Sequence, residues 1–150
     1  GCPTPNRSTG FARSGKVEPR VMKLRIICKS KIHHANVTGA DLNYIGSIGI
    51  DRTLMDLTGI VEGEQVAVWN INNGQRIETY AIPMPAGSGQ ILVNGAAARH
   101  FTAGDRVIIA AFCLTDEVVV PQMIAVDAEN HFERQLFGST TPQELVGSAD

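Results

Sequence analysis

A serine that follows a glycine, as in Gly46-Ser47, marks a peptide bond that a protein can cut for itself. The Ser47 hydroxyl attacks the Gly46 carbonyl carbon and converts the amide into an ester. β-Elimination of that ester leaves dehydroalanine at position 47, which hydrolyses to a pyruvoyl group and ammonia. The attack needs a backbone bent out of its relaxed geometry, and glycine reaches conformations that other residues avoid. One fragment would end at Gly46, and the other would begin with a ketone at position 47. Such a ketone would condense with a substrate amine. Its conjugated amide carbonyl would then take up the electrons left when CO2 departs from an α-carbon, the electron-sink role that pyridoxal phosphate plays elsewhere. Taken alone, a Gly-Ser pair is an ordinary loop.

Chemistry of that kind needs a rigid frame, and the surrounding pattern is mostly strand. From residue 22 to 32, Met22, Leu24 and Ile26 alternate with Lys23 and Arg25, a period of two that predicts a half-buried strand. Residues 35–38 read as a second short extended piece. Residues 51–59 predict a short helix in which Asp51 caps the first turn, Leu54, Met55 and Leu57 face the core, and Gly59 ends the element. Runs at 65–70 and 75–82 flank Asn73-Gly74, a hairpin signal. Further strands are predicted at 91–94, 106–112 and 122–126. Many short strands, glycine-rich turns and little helix point to a closed barrel in one domain, residues 22–127. Residues 1–21 read as a flexible leader, and 128–150 as a polar, frayed tail.

Composition narrows the classes. A 150-residue chain with 43% hydrophobic and 19% charged residues is ordinary for one globular domain. No apolar run approaches the ~20 residues of a membrane helix, and the first twenty residues lack the apolar centre of a secretory signal. Three widely spaced cysteines (Cys2, Cys28 and Cys113) argue against a disulfide framework or a Cys-x-x-Cys metal site, and for a reducing cytoplasm. His34, His100 and His131 lack metal-ligand spacing, so no metal is assigned. No dinucleotide-binding glycine pattern or P-loop points to another cofactor. The net charge of −2 conceals a balance of +6 over residues 1–46 and −8 over the rest. The basic cluster Lys23, Arg25, Lys29 and Lys31 reads either as the solvated face of a strand or as a nucleic-acid contact.

Four blocks taken in order resemble the aspartate α-decarboxylase family: Lys31-Ile-His33, Ala40-Asp-Leu-Asn-Tyr-Ile-Gly-Ser47, Asn70-Ile-Asn-Asn-Gly-Gln-Arg-Ile-Glu-Thr-Tyr80 and Val93-Asn-Gly-Ala-Ala-Ala98. The resemblance covers about residues 22–112, and Tyr44 fits the family's Tyr-x-Gly-Ser run. It implies a mainly β fold, a double-psi β-barrel of about six strands with a few short helices. It also implies a homotetramer with active sites shared between subunits. The implied reaction is decarboxylation of L-aspartate to β-alanine, feeding pantothenate synthesis, on a pyruvoyl group derived from Ser47 after cleavage at Gly46-Ser47. Within it, Tyr80 is the proton donor, and Thr79 contacts substrate and polarises the Gly46 carbonyl during self-cleavage. Lys31 and Arg76 meet the substrate carboxylates, Arg76 with a planar fork suited to bidentate binding, and His33 helps to bind or orient. Asn94, Gly95, Ala96 and Ala97 form the substrate-binding and processing segment, where small residues let backbone N–H groups approach an anion.

Blander readings stand beside these: Arg76 as a surface charge on a hairpin, Tyr80 as core packing, His33 as a packed or solvated side chain, and 94–97 as a tight corner. Adjacent strand residues point to opposite faces, so Thr79 and Tyr80 are not expected to line one pocket from one barrel face; a site between subunits would resolve that conflict. The Arg99-His100-Phe101 run is less typical of the family, and the likeness weakens from Thr115. Two other functions remain open. One is an uncleaved, non-catalytic paralogue serving as partner or scaffold, and the other is nucleic-acid binding through the basic arm of residues 20–31. A separate maturation factor is also left open.

Overall fold

The computed structural model describes residues 18, 19 and 21–138. In chain order the elements are β1 (Arg25–Asn36), β2 (Gly39–Asp41), β3 (Ile48–Asp51), helix α1 (Arg52–Thr58), β4 (Gln65–Asn70), β5 (Arg76–Met84) and β6 (Ile91–Asn94). A 3-10 turn follows at Gly95–His100, then β7 (Arg106–Thr115), β8 (Gln122–Val126) and β9 (Phe132–Phe137). Hydrogen bonding orders the strands β2-β6-β3-β5-β4-β7-β1-β8-β9. The architecture is mainly β with short helices, consistent with the expected double-psi β-barrel, though the described residues form nine strands rather than about six.

Strand β1 merges two pieces that the sequence kept apart. It lies antiparallel to β7 and parallel to β8, with irregularities in its β7 register between Cys28 and Ser30 and between Ile32 and Ala35. His34, at φ 60, sits in the second of these, where an extra residue bends the strand without ending it. The alternation that nominated Met22, Leu24 and Ile26 for the core is overturned. All three are exposed, Ile26 at 74%, and the buried residues of β1 are Ser30, Ile32 and Ala35. Lys29 of the basic cluster is tied down, pairing with Glu64 at 2.9 Å and donating to the Gly59 carbonyl at 2.8 Å.

Helix α1 forms as expected. The Asp51 carboxylate accepts the Thr53 N–H, Gly59 closes the helix in the left-handed region, and Leu54, Met55 and Thr58 are buried while Leu57 packs partly against the core. Burial of Leu54 alone contributes on the order of 2 kcal/mol. Asp51 is 1% exposed, and its two oxygens also accept the N–H groups of Gly87 and Gly89, which pins the 85–90 loop to the start of the helix.

The leader, residues 1–21, lies almost wholly outside the described residues. The tail expected from residue 128 is a different matter. Residues 132–137 form β9, antiparallel to β8, and the buried Asn130 bonds both backbone groups of Asn36 and the Gly89 carbonyl. Strand β9 is mostly exposed, its apolar Phe132, Leu136 and Phe137 included. Its backbone ladder, rather than an apolar face, holds it, so hydrophobic periodicity had nothing to report there.

Candidate active site

Strand β3 is only four residues long, and its brevity makes the site. It pairs in parallel with β5 (Ile48 with Ala81) and antiparallel with β6 (Ile48 with Val93). Continued one residue, this register sets Ser47 beside Tyr80 and Asn94. The Asn94 N–H donates to the Ser47 carbonyl at 2.8 Å. Beyond Ser47 the chain turns away at Gly46, whose φ of +136 is one that side chains rarely adopt. Between 76 and 80, β5 therefore has β4 on one edge and no strand on the other.

Against that open edge lies a cavity of about 430 Å3, bounded by Gly46 and Ser47, residues 77–80, residues 94–97 and His100. The size suits a small molecule. Ser47 is 8% exposed and Asn94 5%. The Asn94 Nδ2 is buried without a hydrogen-bond partner, an unsatisfied donor that would cost about 1–3 kcal/mol unless a ligand or reacting group takes it up. Gly95, at φ +64, lies against the carbonyls of Tyr44 and Gly46: a Cβ built on it would stand 3.7 Å and 3.9 Å from their oxygens. The backbone around the Gly46 carbonyl is thus held between two glycines in unusual conformations.

Thr79 and Tyr80 both border this one cavity, which corrects the expectation that strand alternation would separate them. Thr79 is half-buried and Tyr80 is 45% exposed. The cavity meets the unpaired edge of β5 rather than one face, so residues of both parities reach it. Tyr80 is therefore not core packing.

Ser47, Gly46, Thr79, Tyr80, Asn94, Gly95, Ala96 and Ala97 come together in this cavity; Lys31, His33 and Arg76 do not line it. Arg76 stacks over the Trp69 ring at 4.4 Å and borders a neighbouring cavity of about 560 Å3 that shares Ile77 and Glu78 with the first. Lys31 lies on β1 opposite Ala110 and Met123. His33 stacks on His34, ring centroids 3.9 Å apart, in a third cavity with Arg106, Asp127 and Arg134. Burial, then the neighbouring His34, Lys31 and Arg134, hold the His33 imidazole below its usual titration range, and its Nδ1 is buried with no hydrogen-bond partner.

Three residues of the Ser47 cavity, Ile77, Glu78 and His100, were not nominated from the sequence. Glu78 alternates with Arg76 and Tyr80 along β5, so counting by twos from either would have found it. Its carboxylate accepts from Gln65 Nε2 at 3.2 Å. His100 ends the 3-10 turn, and no periodicity signals its position. No His/Cys/Asp/Glu cluster among the described residues could hold a metal ion, and no helix among them is long and apolar enough to cross a membrane.

The family model for aspartate decarboxylase matches residues 22–133. The chain belongs to the aspartate decarboxylase family. The match runs some twenty residues past the likeness visible in the sequence blocks and takes in the start of β9. Relatives include the aspartate 1-decarboxylase of Acaryochloris marina, 50% identical over 120 residues (76% of this chain, 92% of that one). That of Exiguobacterium sibiricum is 51% identical over 117 residues (75% and 92%). That of Hyphomonas neptunium is 59% identical over 85 residues (57% and 72%).

Proposed function

We propose that this chain decarboxylates L-aspartate to β-alanine and CO2 after cutting itself between Gly46 and Ser47. The observation that carries the reading is the setting of that bond. Ser47 is buried at the head of β3, Gly46 is held at φ +136, and the unpartnered amide of Asn94 lies in the same cavity. Relatives named aspartate 1-decarboxylase, at about half identity over most of the chain, support the substrate and reaction.

The residues present fit a pyruvoyl group derived from Ser47. The cavity surrounds position 47, the spare Asn94 Nδ2 is a donor for a carbonyl oxygen, and Gly95 to Ala97 leave room. When formed, the group supplies a ketone for the substrate amine and a sink for the electrons left by departing CO2. Tyr80, with its partly exposed phenol, gives the proton that replaces CO2 on the substrate's α-carbon. Thr79 contacts the substrate and polarises the Gly46 carbonyl during the cut.

Lys31, His33 and Arg76 complete the site from a second copy of the chain. One copy holds them away from its own Ser47 cavity, and their charge is what a substrate with two carboxylates needs. A homotetramer with shared sites is the assembly proposed, and the free thiols Cys28 and Cys113 accord with a cytoplasmic setting. Glutamate, one methylene longer, is discriminated by about 1–3 kcal/mol.

Intact-mass analysis before and after borohydride treatment with aspartate tests the proposal. Expected are two fragments, 1–46 and 47–150, with a reducible aspartate adduct on the larger one. A chain that stays whole after long warm incubation and releases no CO2 from aspartate sinks it, and leaves the scaffold reading in its place. Faster CO2 release from glutamate than from aspartate would overturn the substrate alone.

A further inference from the structure

We propose that Ile82 is a positioning residue for self-cleavage, its terminal methyl holding Gly46 in place for attack by Ser47. The inference rests on the self-processing reading and adds to its machinery. A Cβ built on Gly46 would stand 3.2 Å from Ile82 Cδ1, and 3.7 Å and 3.9 Å from two ring carbons of Tyr44. The first distance is shorter than the roughly 3.5–4.0 Å at which carbon atoms pack. Glycine at position 46 therefore answers two demands. One is its φ of +136, and the other is the room that the Ile82 methyl takes up beside its Cα.

The tip of Ile82 is itself fixed. In β5 the residue pairs with Gly49 of β3, and Pro83 after it confines its backbone to extended conformations. Beside it, the Ala81 N–H donates to the Glu64 carbonyl at 3.0 Å, and the Ala81 carbonyl accepts the Gly63 N–H at 2.8 Å. Branching at Cβ restricts χ1, so backbone and rotamer together set where Cδ1 stands. Ile82 is half-buried and is not among the residues that line the Ser47 cavity. It meets Gly46 from outside the space that a substrate would fill.

What such a contact does follows from the geometry of a peptide. The Gly46 Cα and carbonyl, the Ser47 N–H and the Ser47 Cα share one plane. Holding both ends and the oxygen fixes which face of the carbonyl the Ser47 hydroxyl meets. The Ser47 end is held where β3 begins and by the Asn94 N–H at 2.8 Å. The oxygen lies against Gly95, whose Cβ would stand 3.9 Å from it. At the remaining end, Ile82 Cδ1 is the nearest atom from outside the adjoining residues to face the side chain that Gly46 lacks.

In the first step of the cut a bond forms between Ser47 Oγ and the Gly46 carbonyl carbon. The Gly46–Ser47 C–N bond breaks, and the hydroxyl proton passes to the freed nitrogen. The rate depends on how often Oγ meets the carbonyl carbon in attack geometry, and a Gly46 Cα free to drift lowers that frequency. The role ends with the cut. Once Gly46 and position 47 belong to different fragments, Ile82 no longer bears on the reacting group, and decarboxylation does not depend on it.

Ile82→Val deletes Cδ1 and little else. Its half-time of cleavage, read by intact mass, should lengthen at least about tenfold, while kcat and KM for aspartate per processed subunit stay within about twofold of wild type. Ile82→Met, whose chain reaches Gly46 again, should cleave within about threefold of the wild-type rate. Ile109→Val removes the same methyl from a fully buried residue of β7. It should lower Tm more than I82V does, yet cleave at the wild-type rate. Cleavage of I82V at the wild-type rate, an I109V slowed as much as I82V, or an I82M as slow as I82V would overturn the assignment. So would a lowered kcat in processed I82V, which would move Ile82 to the decarboxylation step. A wild type that stays whole defeats the self-processing reading and this inference with it; a wild type that cuts itself and is matched by I82V defeats this inference alone.

Discussion

The amide N–H of Asn94 donates to the Ser47 carbonyl at 2.8 Å, while the side-chain Nδ2 of the same residue is buried with nothing to bond. One group fixes the backbone beside the Gly46-Ser47 bond, and the other is the donor that the proposed pyruvoyl oxygen would take up. A buried amide left unsatisfied is a cost that folding alone would not keep.

Gly95→Ala tests the glycine beside the Gly46 carbonyl. The added methyl finds ordinary contact distances, 3.7 Å and 3.9 Å, but the φ of +64 strains any L side chain. A loss of about 1–2 kcal/mol is expected, read as a lowered Tm, together with a longer half-time of cleavage by intact mass. Cleavage at the wild-type rate in a destabilised variant would detach Gly95 from processing.

Tyr80→Phe should process normally yet lose about 10²–10⁴ in kcat, the range for a positioned proton donor, with KM little changed. Fragment masses and the rate of CO2 release are the readouts. Retained kcat would assign the proton to another group.

Asp51→Ala removes the acceptor of three backbone N–H groups, those of Thr53, Gly87 and Gly89. Loss of the helix cap and two further charge-assisted bonds should cost about 2–4 kcal/mol in chemical denaturation. A cost below about 1 kcal/mol would mean that the 85–90 loop is held mainly by Asn130.

Sharing of sites between copies has a genetic test. Ser47→Ala and Arg76→Ala chains, each inactive alone, should recover part of the activity when co-expressed, because a mixed assembly can pair an intact Ser47 cavity with an intact Arg76. No recovery in co-purified mixed assemblies would confine the site to one chain.

His33 makes stability depend on pH. Its imidazole titrates below 6.5 in the folded chain, so the unfolded chain takes up the proton first as pH falls. Stability from this group is full above the unfolded value and is lost as pH drops through 6.5 toward the folded one. Between pH 7 and pH 5 the Tm of wild type should fall further than that of His33→Gln. Equal falls would exclude His33 as a source.

Much of this was legible because the site is local in sequence at its centre. Gly46-Ser47 and 94–97 lie at strand ends, Thr79-Tyr80 lie within one strand, and the runs behind β4, β6 and β8 are short, largely apolar and bounded by turns, so both the pieces and their order could be read. What failed was geometry across strands. Whether Thr79 and Tyr80 face one cavity depends on where β3 stops, which no property of residues 79 and 80 encodes. Met22, Leu24 and Ile26 alternate like core residues, yet apolar alternation does not say which side a barrel closes on. His100 was passed over because its place comes from the amides of Asn70 and Asn73, some thirty residues away.

The central place of β1 bears on what becomes of a cut chain. Residues 1–46 carry β1, clasped between β7 and β8, and β2, the edge partner of β6, whereas all of those neighbours belong to residues 47–150. Scission would leave two peptides woven through one another, copurifying as a single body until denaturant parts them. Once parted, they would have to find each other by diffusion, so recovery of even a single folded subunit would depend on protein concentration, as it does not before the cut.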